Sequence, residues 1–350
     1  MLDHARVDQA VVARAPLRIP LGGGGTDLPS HYREHGGFAV SATIDRHVHV
    51  MLSTAFARRF RLKHLEWEEV ERPEEIRHPI LHAAVEHHWD GTPFELASVG
   101  DVLPGTGLGS SSAYTVGVLR ALATARGEDL GPEQLAARAC RLEIEHLSQS
   151  VGVRDQYAIA AGGVTAVTLR ADGDVAEADG GRAADGADPQ VSVRRLEVSD
   201  RTLAGLREEF LLFFAGERRQ TSQAMLSPLI ERGRDDAMRR NLDRTAEIAR
   251  EVATALEAGD LATVGGLMDE QWALKIERTP DAITARVAEL RALAVGAGRA
   301  RGAVLGGAGG GGFLLVHSAE PEVTRAAMDA AGAPELRFAI EQRGCSAGPA

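Results

Sequence analysis

Residues 104–113 read Pro104-Gly-Thr-Gly-Leu-Gly-Ser-Ser-Ser-Ala113. A β-rich run, Glu95 to Val102, precedes this string, and an apolar helical stretch from about Ala113 to Ala125 follows it. A strand, a glycine loop and a helix in that order make an anion cradle. Gly105, Gly107 and Gly109 let the backbone approach a ligand closely and adopt positive φ. Successive N–H groups then form a concavity, and the helix start adds unpaired donors and its dipole. Ser110, Ser111 and Ser112 add hydroxyls that reach phosphate oxygens or a magnesium ion. One serine at a helix start reads as a cap; three of them after a GxGxG string read as a phosphate site.

Several phosphate-binding classes are excluded. The chain has no Gly-Lys dipeptide, so the GxxxxGK[ST] loop is absent. The GxGxG spacing does not fit the dinucleotide-binding GxGxxG.

Working outward, Val11 to Ile19 is β-rich and ends in a glycine run, and Gly37 to Met51 alternates as one or two strands. Helical spacing covers His78 to Trp89, a helix from Pro132 to about His146 begins with proline in its first turn, and Gly162 to Leu169 reads as a strand. Asp, Gly and Ala dominate 171–195 without a period, which makes this stretch the best domain boundary. A short strand, Phe210 to Ala215, precedes helices at about 236–257, 260–275 and 281–296. A strand, glycine loop and strand at 303–316, a helix at 321–331 and a last strand near Leu336 to Ile340 complete the chain. Strands and helices mixed in both halves predict an α+β protein of two domains, 1–195 and 196–350.

Three glycine motifs occur in order: Ala15-Pro-Leu-Arg-Ile-Pro-Leu-Gly-Gly-Gly-Gly-Thr-Asp-Leu-Pro29, the 104–113 loop, and Leu305-Gly-Gly-Ala-Gly-Gly-Gly-Gly-Phe-Leu-Leu315. Together they resemble the three motifs of the GHMP small-molecule kinases. The strings GGGGTDLP, DQYAIAAGG and GGAGGGGFLL, with Trp272-Ala-Leu-Lys275 between, resemble most the branch of D-glycero-D-manno-heptose 7-phosphate kinases. The resemblance covers nearly the whole chain. It implies a two-domain GHMP-kinase fold with the active site in the interdomain cleft. It also implies ATP and magnesium as cofactors, and transfer of phosphate to the anomeric hydroxyl of a sugar phosphate.

Asp155, in Gly152-Val-Arg-Asp-Gln-Tyr157, is the candidate base for an acceptor hydroxyl. The resemblance to galactokinase places the catalytic aspartate in such a setting and a basic residue, here Arg18, beside it. Asp155 also occupies the position of a helix cap before QYAIAA. Ser111 and Glu143 are candidate magnesium ligands, with Glu145 the competitor. ATP is expected over Pro104, Gly105, Gly107, Leu108, Gly109 and the three serines. For the sugar, the resemblance implies Gly24, Gly25, Thr26 and Asp27 from the first loop and Gly309 and Gly310 from the third. Asp27 also fits an Asx turn. A sugar that already carries phosphate needs a second anion site, for which Arg154, Arg218, Arg219 and Lys275 are candidates. The chain departs from the heptose-kinase pattern at Val153-Arg154, where a Lys-Gln pair is expected, and at Ala303, where a lysine is expected.

Composition narrows the rest. The formal net charge of −11 argues against non-specific nucleic-acid binding. No run of eighteen apolar residues occurs, and Met1 to Gln9 holds no apolar core, so neither a membrane span nor a signal peptide is expected. Cys140 and Cys345 lie far apart with no CxxC pair, which fits a reducing, cytoplasmic setting. His78, His82 and Glu86 fall on one helix face, read as a wet face rather than a metal site, and His47 and His49 on one exposed strand face. Two rival readings are another anomeric sugar kinase, for fucose, arabinose, a uronic acid or a hexose, and a sensor that kept the fold without turnover.

Overall fold

A computed structural model describes residues 10–54, 57–173, 188, 190–216 and 235–350. Arg218, Arg219 and Met1 to Gln9 lie outside the described residues. The larger sheet starts from two long antiparallel strands, β1 (Val11–Gly22) and β2 (Gly37–Ser53), joined through the short helix α1 (Pro29–His35). Both strands are rich in β-branched and apolar residues, and β1 is buried along most of its length. The 37–51 segment is therefore one strand. Its first half pairs with β6 (Val164–Leu169) and its second half with β5 (Glu95–Gly100). The hairpin of β3 (Phe60–Lys63) and β4 (Trp67–Val70) extends the β5 edge, and β7 (Val191–Arg195) extends β6.

Helices α2 (Pro79–His88), α3 (Ser110–Ala125), α4 (Pro132–Arg141) and α5 (Arg154–Ala161) build one face of this layer. Gly117 brings α3 close to β2, since a Cβ there would lie 3.2 Å from Val50 Cγ2. After α6 (Asp200–Glu208) comes the second sheet, in the order β8 (Phe210–Phe214), β10 (Phe313–His317), β9 (Gly302–Leu305), all antiparallel. Helices α7 (Asp236–Ala258), α8 (Leu261–Arg278), α9 (Ala285–Val295) and α10 (Pro321–Ala330) complete the fold. Helix α7 reaches back to the larger sheet, where Gly22 leaves room for Ala249.

The two sheets meet at the glycine loops. Phe313 N–H, at the end of the third loop, donates to Thr106 O at 3.0 Å. Gly107 has φ +87°, and a Cβ there would fall 2.6 Å from Gly306 O, so only glycine permits this crossing.

Several details differ from the sequence reading: His47 on β2 is buried rather than exposed, and the 171–195 stretch ends in the paired strand β7, with 174–187 and 189 outside the described residues. Only isolated bridges, at Glu335 and Ile340, stand where the 336–340 strand is expected, and β11 (Ser346–Pro349) instead adds to the β1 edge of the larger sheet. Nothing local marks Ser-Ala-Gly-Pro as a strand; its pairing with Val11 to Arg14 creates it. His78 caps α2, accepting from Leu81 N–H at 3.4 Å, and its ring lies against His64. That ring also packs against Tyr114, while His82 pairs with Glu86. Among the described residues no helix is long and apolar enough to cross a membrane.

Candidate active site

A cleft of about 430 Å³ opens where the three loops converge. Its phosphate-cradle wall is Gly105, Gly107, Gly109 and the three serines; Leu108 is fully buried behind it, and Pro104 lies outside the lining. Gly109 is the N-cap of α3 and makes no side-chain cap bond, so none of the serines caps the helix. Ser110 instead closes the loop, its Oγ accepting from Gly105 N–H at 3.2 Å. The serine hydroxyls and the first N–H groups of α3 share one wall, the arrangement a phosphate group fits.

Asp155 occupies the first turn of α5. Its Oδ1 accepts from Arg18 Nε at 2.7 Å and from Arg154 Nε at 3.1 Å, and its Oδ2 accepts from Arg18 Nη2. The carboxylate is therefore not spent on a helix cap. Arg18 is 2% exposed, and its Nη1 donates to Gly107 O at 2.7 Å. One guanidinium thus ties the aspartate to the phosphate cradle. Burial works against the charged form of Asp155, but the Arg18 and Arg154 guanidiniums outweigh it and hold the carboxyl well below its usual range.

Glu143 lies in a π-helical turn, Leu142–His146, that continues α4. Such a turn adds a residue to the helical period and re-aims the side chains beyond it. Glu143 is buried and lines the cleft, whereas Glu145 is exposed outside it. Thr115 Oγ1 donates to Glu143 Oε1 at 2.5 Å, and Gln156 Nε2 donates to Oε2. Burial pushes the Glu143 carboxyl up to about 7, with these two neutral donors offsetting part of the shift. A buried carboxylate with no cationic partner among the described residues, on the same wall as Ser111, offers the hard oxygen donors that suit magnesium.

The first loop supplies the opposite wall. Asp27 accepts from Gly25 N–H at 3.1 Å and from Arg154 N–H at 3.3 Å. The first contact runs back to the residue two before it, so it is not the Asx turn expected, and the second draws the carboxylate against the 152–155 turn. Gly152 makes the approach possible, because a Cβ there would sit 2.0 Å from Asp27 Oδ2. Gly24 and Gly25 line the cleft. Thr26 is fully buried, its hydroxyl bonded to Gly23 O at 2.8 Å, and it lies outside the lining. Gly309 and Gly310 also lie outside: Gly310 N–H donates to Ala282 O at 2.7 Å, and Gly307 and Ala308 line the cleft in their place. Lys275 lines the cleft and donates to Leu305 O at 3.0 Å and Gly307 O at 2.7 Å, which holds the third loop.

Thr115, Gln156, Thr245 and Arg278 escaped the sequence reading. Thr115 falls one turn after Ser111 on α3, a spacing that marks one helix face. Nothing local marks the other three.

Two domain families match the chain: the GHMP kinases N terminal domain over residues 78–163 and the GHMP kinases C terminal domain over residues 252–333. A Campylobacter jejuni D-glycero-alpha-D-manno-heptose 7-phosphate kinase is 30% identical over 167 residues, covering 44% of this chain and 49% of that protein. An Arabidopsis thaliana bifunctional fucokinase/GDP-fucose pyrophosphorylase is 24% identical over 93% of this chain and 31% of its own length. The chain thus spans about half, or less, of these curated relatives. In structure, a D-glycero-D-manno-heptose 1-phosphate kinase from Bacteroides thetaiotaomicron superposes with a TM-score of 0.75 at 20% identity, covering 97% of this chain and 99% of that one. Lactococcus lactis galactokinase, solved with galactose, gives 0.71 at 16% identity, covering 97% and 95%. These likenesses show a shared fold.

Proposed function

Because the chain has the N-terminal and C-terminal domains of the GHMP kinases, we propose that it is an ATP-dependent sugar kinase acting on an anomeric hydroxyl, with a heptose 7-phosphate as the acceptor and a heptose 1,7-bisphosphate as the product. The observation that carries this reading is the Arg18 bridge, which fixes Asp155 beside the phosphate cradle. Identity to the Campylobacter jejuni heptose 7-phosphate kinase supports the choice of sugar.

In this mechanism the amides of Gly107 to Ser112 hold the nucleotide's phosphates. Ser111 and Glu143 would hold a magnesium ion, which when bound supplies charge neutralisation to the phosphate oxygens. Asp27 receives sugar hydroxyls and sets the anomeric oxygen toward the cradle. Asp155 accepts the proton of that hydroxyl as its oxygen bonds to the γ-phosphorus; the bond to the β-phosphate oxygen breaks and ADP leaves. A carboxylate held at so low a pKa is a weak base, so the proton moves late, and the main service of Asp155 is to orient the hydroxyl. Arg18 stabilises negative charge on the transferring group from the Gly107 side.

The division between domains falls after Arg195, where β7 ends and the path to the smaller sheet begins. The buried, unpaired Cys140 and Cys345 fit a reducing compartment such as the cytoplasm.

The test is ADP release with a panel of heptose 7-phosphate, fucose, arabinose, a hexuronate and hexoses, each with magnesium and ATP. Turnover fastest with heptose 7-phosphate supports the reading. Preference for another sugar reassigns the acceptor. ATP binding without ADP release from any of them overturns catalysis in favour of a sensor.

A further inference from the structure

Four cationic side chains line the cleft: Arg18, Arg154, Lys275 and Arg278. Three of them are committed to parts of the site itself. Arg18 and Arg154 hold Asp155, and Lys275 donates to carbonyls of the third loop. Arg278, the last residue of α8, differs from Arg18 and Arg154 in having no carboxylate partner among the described residues. It is 8% exposed, and among the described residues its hydrogen bonds go to neutral acceptors. Its Nη1 donates to Asn241 Oδ1 at 2.8 Å and to Thr245 Oγ1 at 2.6 Å, and its Nη2 donates to Gly24 O at 3.1 Å. A guanidinium has five N–H groups, so two have no acceptor among the described residues. Among the described residues no carboxylate forms an ion pair with Arg278.

The acceptors of Arg278 are themselves fixed. Asn241 Nδ2 donates to Glu277 Oε2 at 2.9 Å and to Leu274 O at 3.2 Å, which turns its Oδ1 toward the guanidinium. Thr245 Oγ1 donates to Asn241 O at 2.8 Å, leaving its lone pairs for Arg278. The fork is therefore held rigid from α7. It faces the first glycine loop, where Gly24 lies between two guanidiniums: a Cβ on Gly24 would stand 3.6 Å from Arg154 Nη1. Burying a cation with no counter-ion is costly. Burial lowers the Arg278 pKa to about 10, and Glu277 is the one acidic neighbour that opposes the shift. An arginine serving only to pin α8 to α7 has no need of a charge, or of a position on the cleft wall.

We propose that Arg278, with Thr245 and the Gly24 turn beside it, forms an anion subsite for the acceptor. The sugar would carry a phosphate or carboxylate group remote from the hydroxyl that is phosphorylated, and the two spare N–H groups of Arg278 would receive it in a bidentate grip. This inference rests on the reading of the cleft as a sugar kinase and deepens it by naming the acceptor's chemical class.

The experiment measures kcat/KM for heptose 7-phosphate, a hexuronate and the unphosphorylated heptose, in wild type, Arg278→Gln and Arg278→Lys. The expected result is a preference for one anionic acceptor over the neutral sugar. Losing a charge-assisted bidentate contact should cut that preference roughly 10- to 100-fold in Arg278→Gln, and Arg278→Lys should restore part of it. Which anion loses most tells phosphate from carboxylate. An unchanged preference in Arg278→Gln, or a wild type that takes the neutral sugar equally well, overturns the subsite while leaving the kinase intact. Should the wild type release no ADP with any sugar, the kinase reading fails. Calorimetric titration of the same three compounds then decides the subsite: heptose 7-phosphate or the hexuronate binding wild type and Arg278→Lys but not Arg278→Gln supports it, and equal binding, or none, overturns it. Melting curves of both variants separate a binding loss from unfolding.

Discussion

Arg18 touches both halves of the proposed reaction at once: its Nε lies 2.7 Å from Asp155 Oδ1, and its Nη1 lies 2.7 Å from Gly107 O. A change at either end is therefore felt at the other. Replacing Arg18 with Met should leave Asp155 buried with Arg154 alone and cost about 3 kcal/mol of stability, in the range for breaking a buried ion pair. Urea denaturation at neutral pH measures it. ATP affinity should fall in the same variant, because the Gly107 carbonyl loses its anchor.

Asp155→Asn tests the chemistry separately. Losing the carboxylate should lower kcat roughly 10³-fold, within the range for general acid–base residues, while calorimetry still detects ATP binding. A variant that keeps most of its kcat would remove Asp155 from the reaction.

The pH dependence of stability follows from the same carboxylate. Burial opposes its charge, but Arg18 and Arg154 hold its folded-state pKa below that of the unfolded chain. Its contribution is then complete above the unfolded value of about 3.9 and lost as pH falls through the folded one. Wild type should exceed Asp155→Asn in stability by a constant margin from about pH 5 to 6, and by less as the neighbouring Glu143 ionises at about pH 7, since the Asp155 charge opposes that ionisation. The margin should shrink below about pH 4, as read by denaturant titrations at each pH.

Glu143→Gln should show the opposite balance. Burial has already pushed this carboxyl up to about 7, against neutral partners only. Removing the charge should leave the melting temperature equal or higher. Activity should nevertheless drop about 100-fold or more if the carboxylate holds the metal, with a raised magnesium requirement. A melting temperature well below wild type would show that Glu143 serves packing instead.

Gly107→Ala should damage the contact between the second and third loops. Its Cβ would meet the Gly306 carbonyl at 2.6 Å, at φ +87°. Strain and clash together should cost about 2–4 kcal/mol, visible as a lower melting temperature and weaker nucleotide binding.

The three glycine loops and the strand–loop–helix at 104–113 were legible because each depends on local chemistry, positive φ and helix N-termini, whereas the role expected of Asp155 came from a resemblance. The choice between Glu143 and Glu145 was not legible, because it turns on a π-helical turn that no local rule marks. Arg278 was hidden for a different reason. Its meaning comes from Asn241, Thr245 and Gly24, which are 37, 33 and 254 positions away, and from the commitments of the other cations in the cleft. Strand β11 was hidden likewise, since its partner, the start of β1, is almost a full chain length distant. Gly309 and Gly310 looked like cleft residues from their motif, but the loop's curvature turns them toward Ala282.

The crossing of the second and third loops has one more effect. Thr106, Gly107, Gly306 and Phe313 join the two sheets through main-chain atoms alone, with no side chain able to rotate out of the way. Heat should therefore not release one sheet before the other, and scanning calorimetry should record a single cooperative endotherm. Any opening and closing that admits substrate must then come from the periphery of the cleft, around a seam that stays shut.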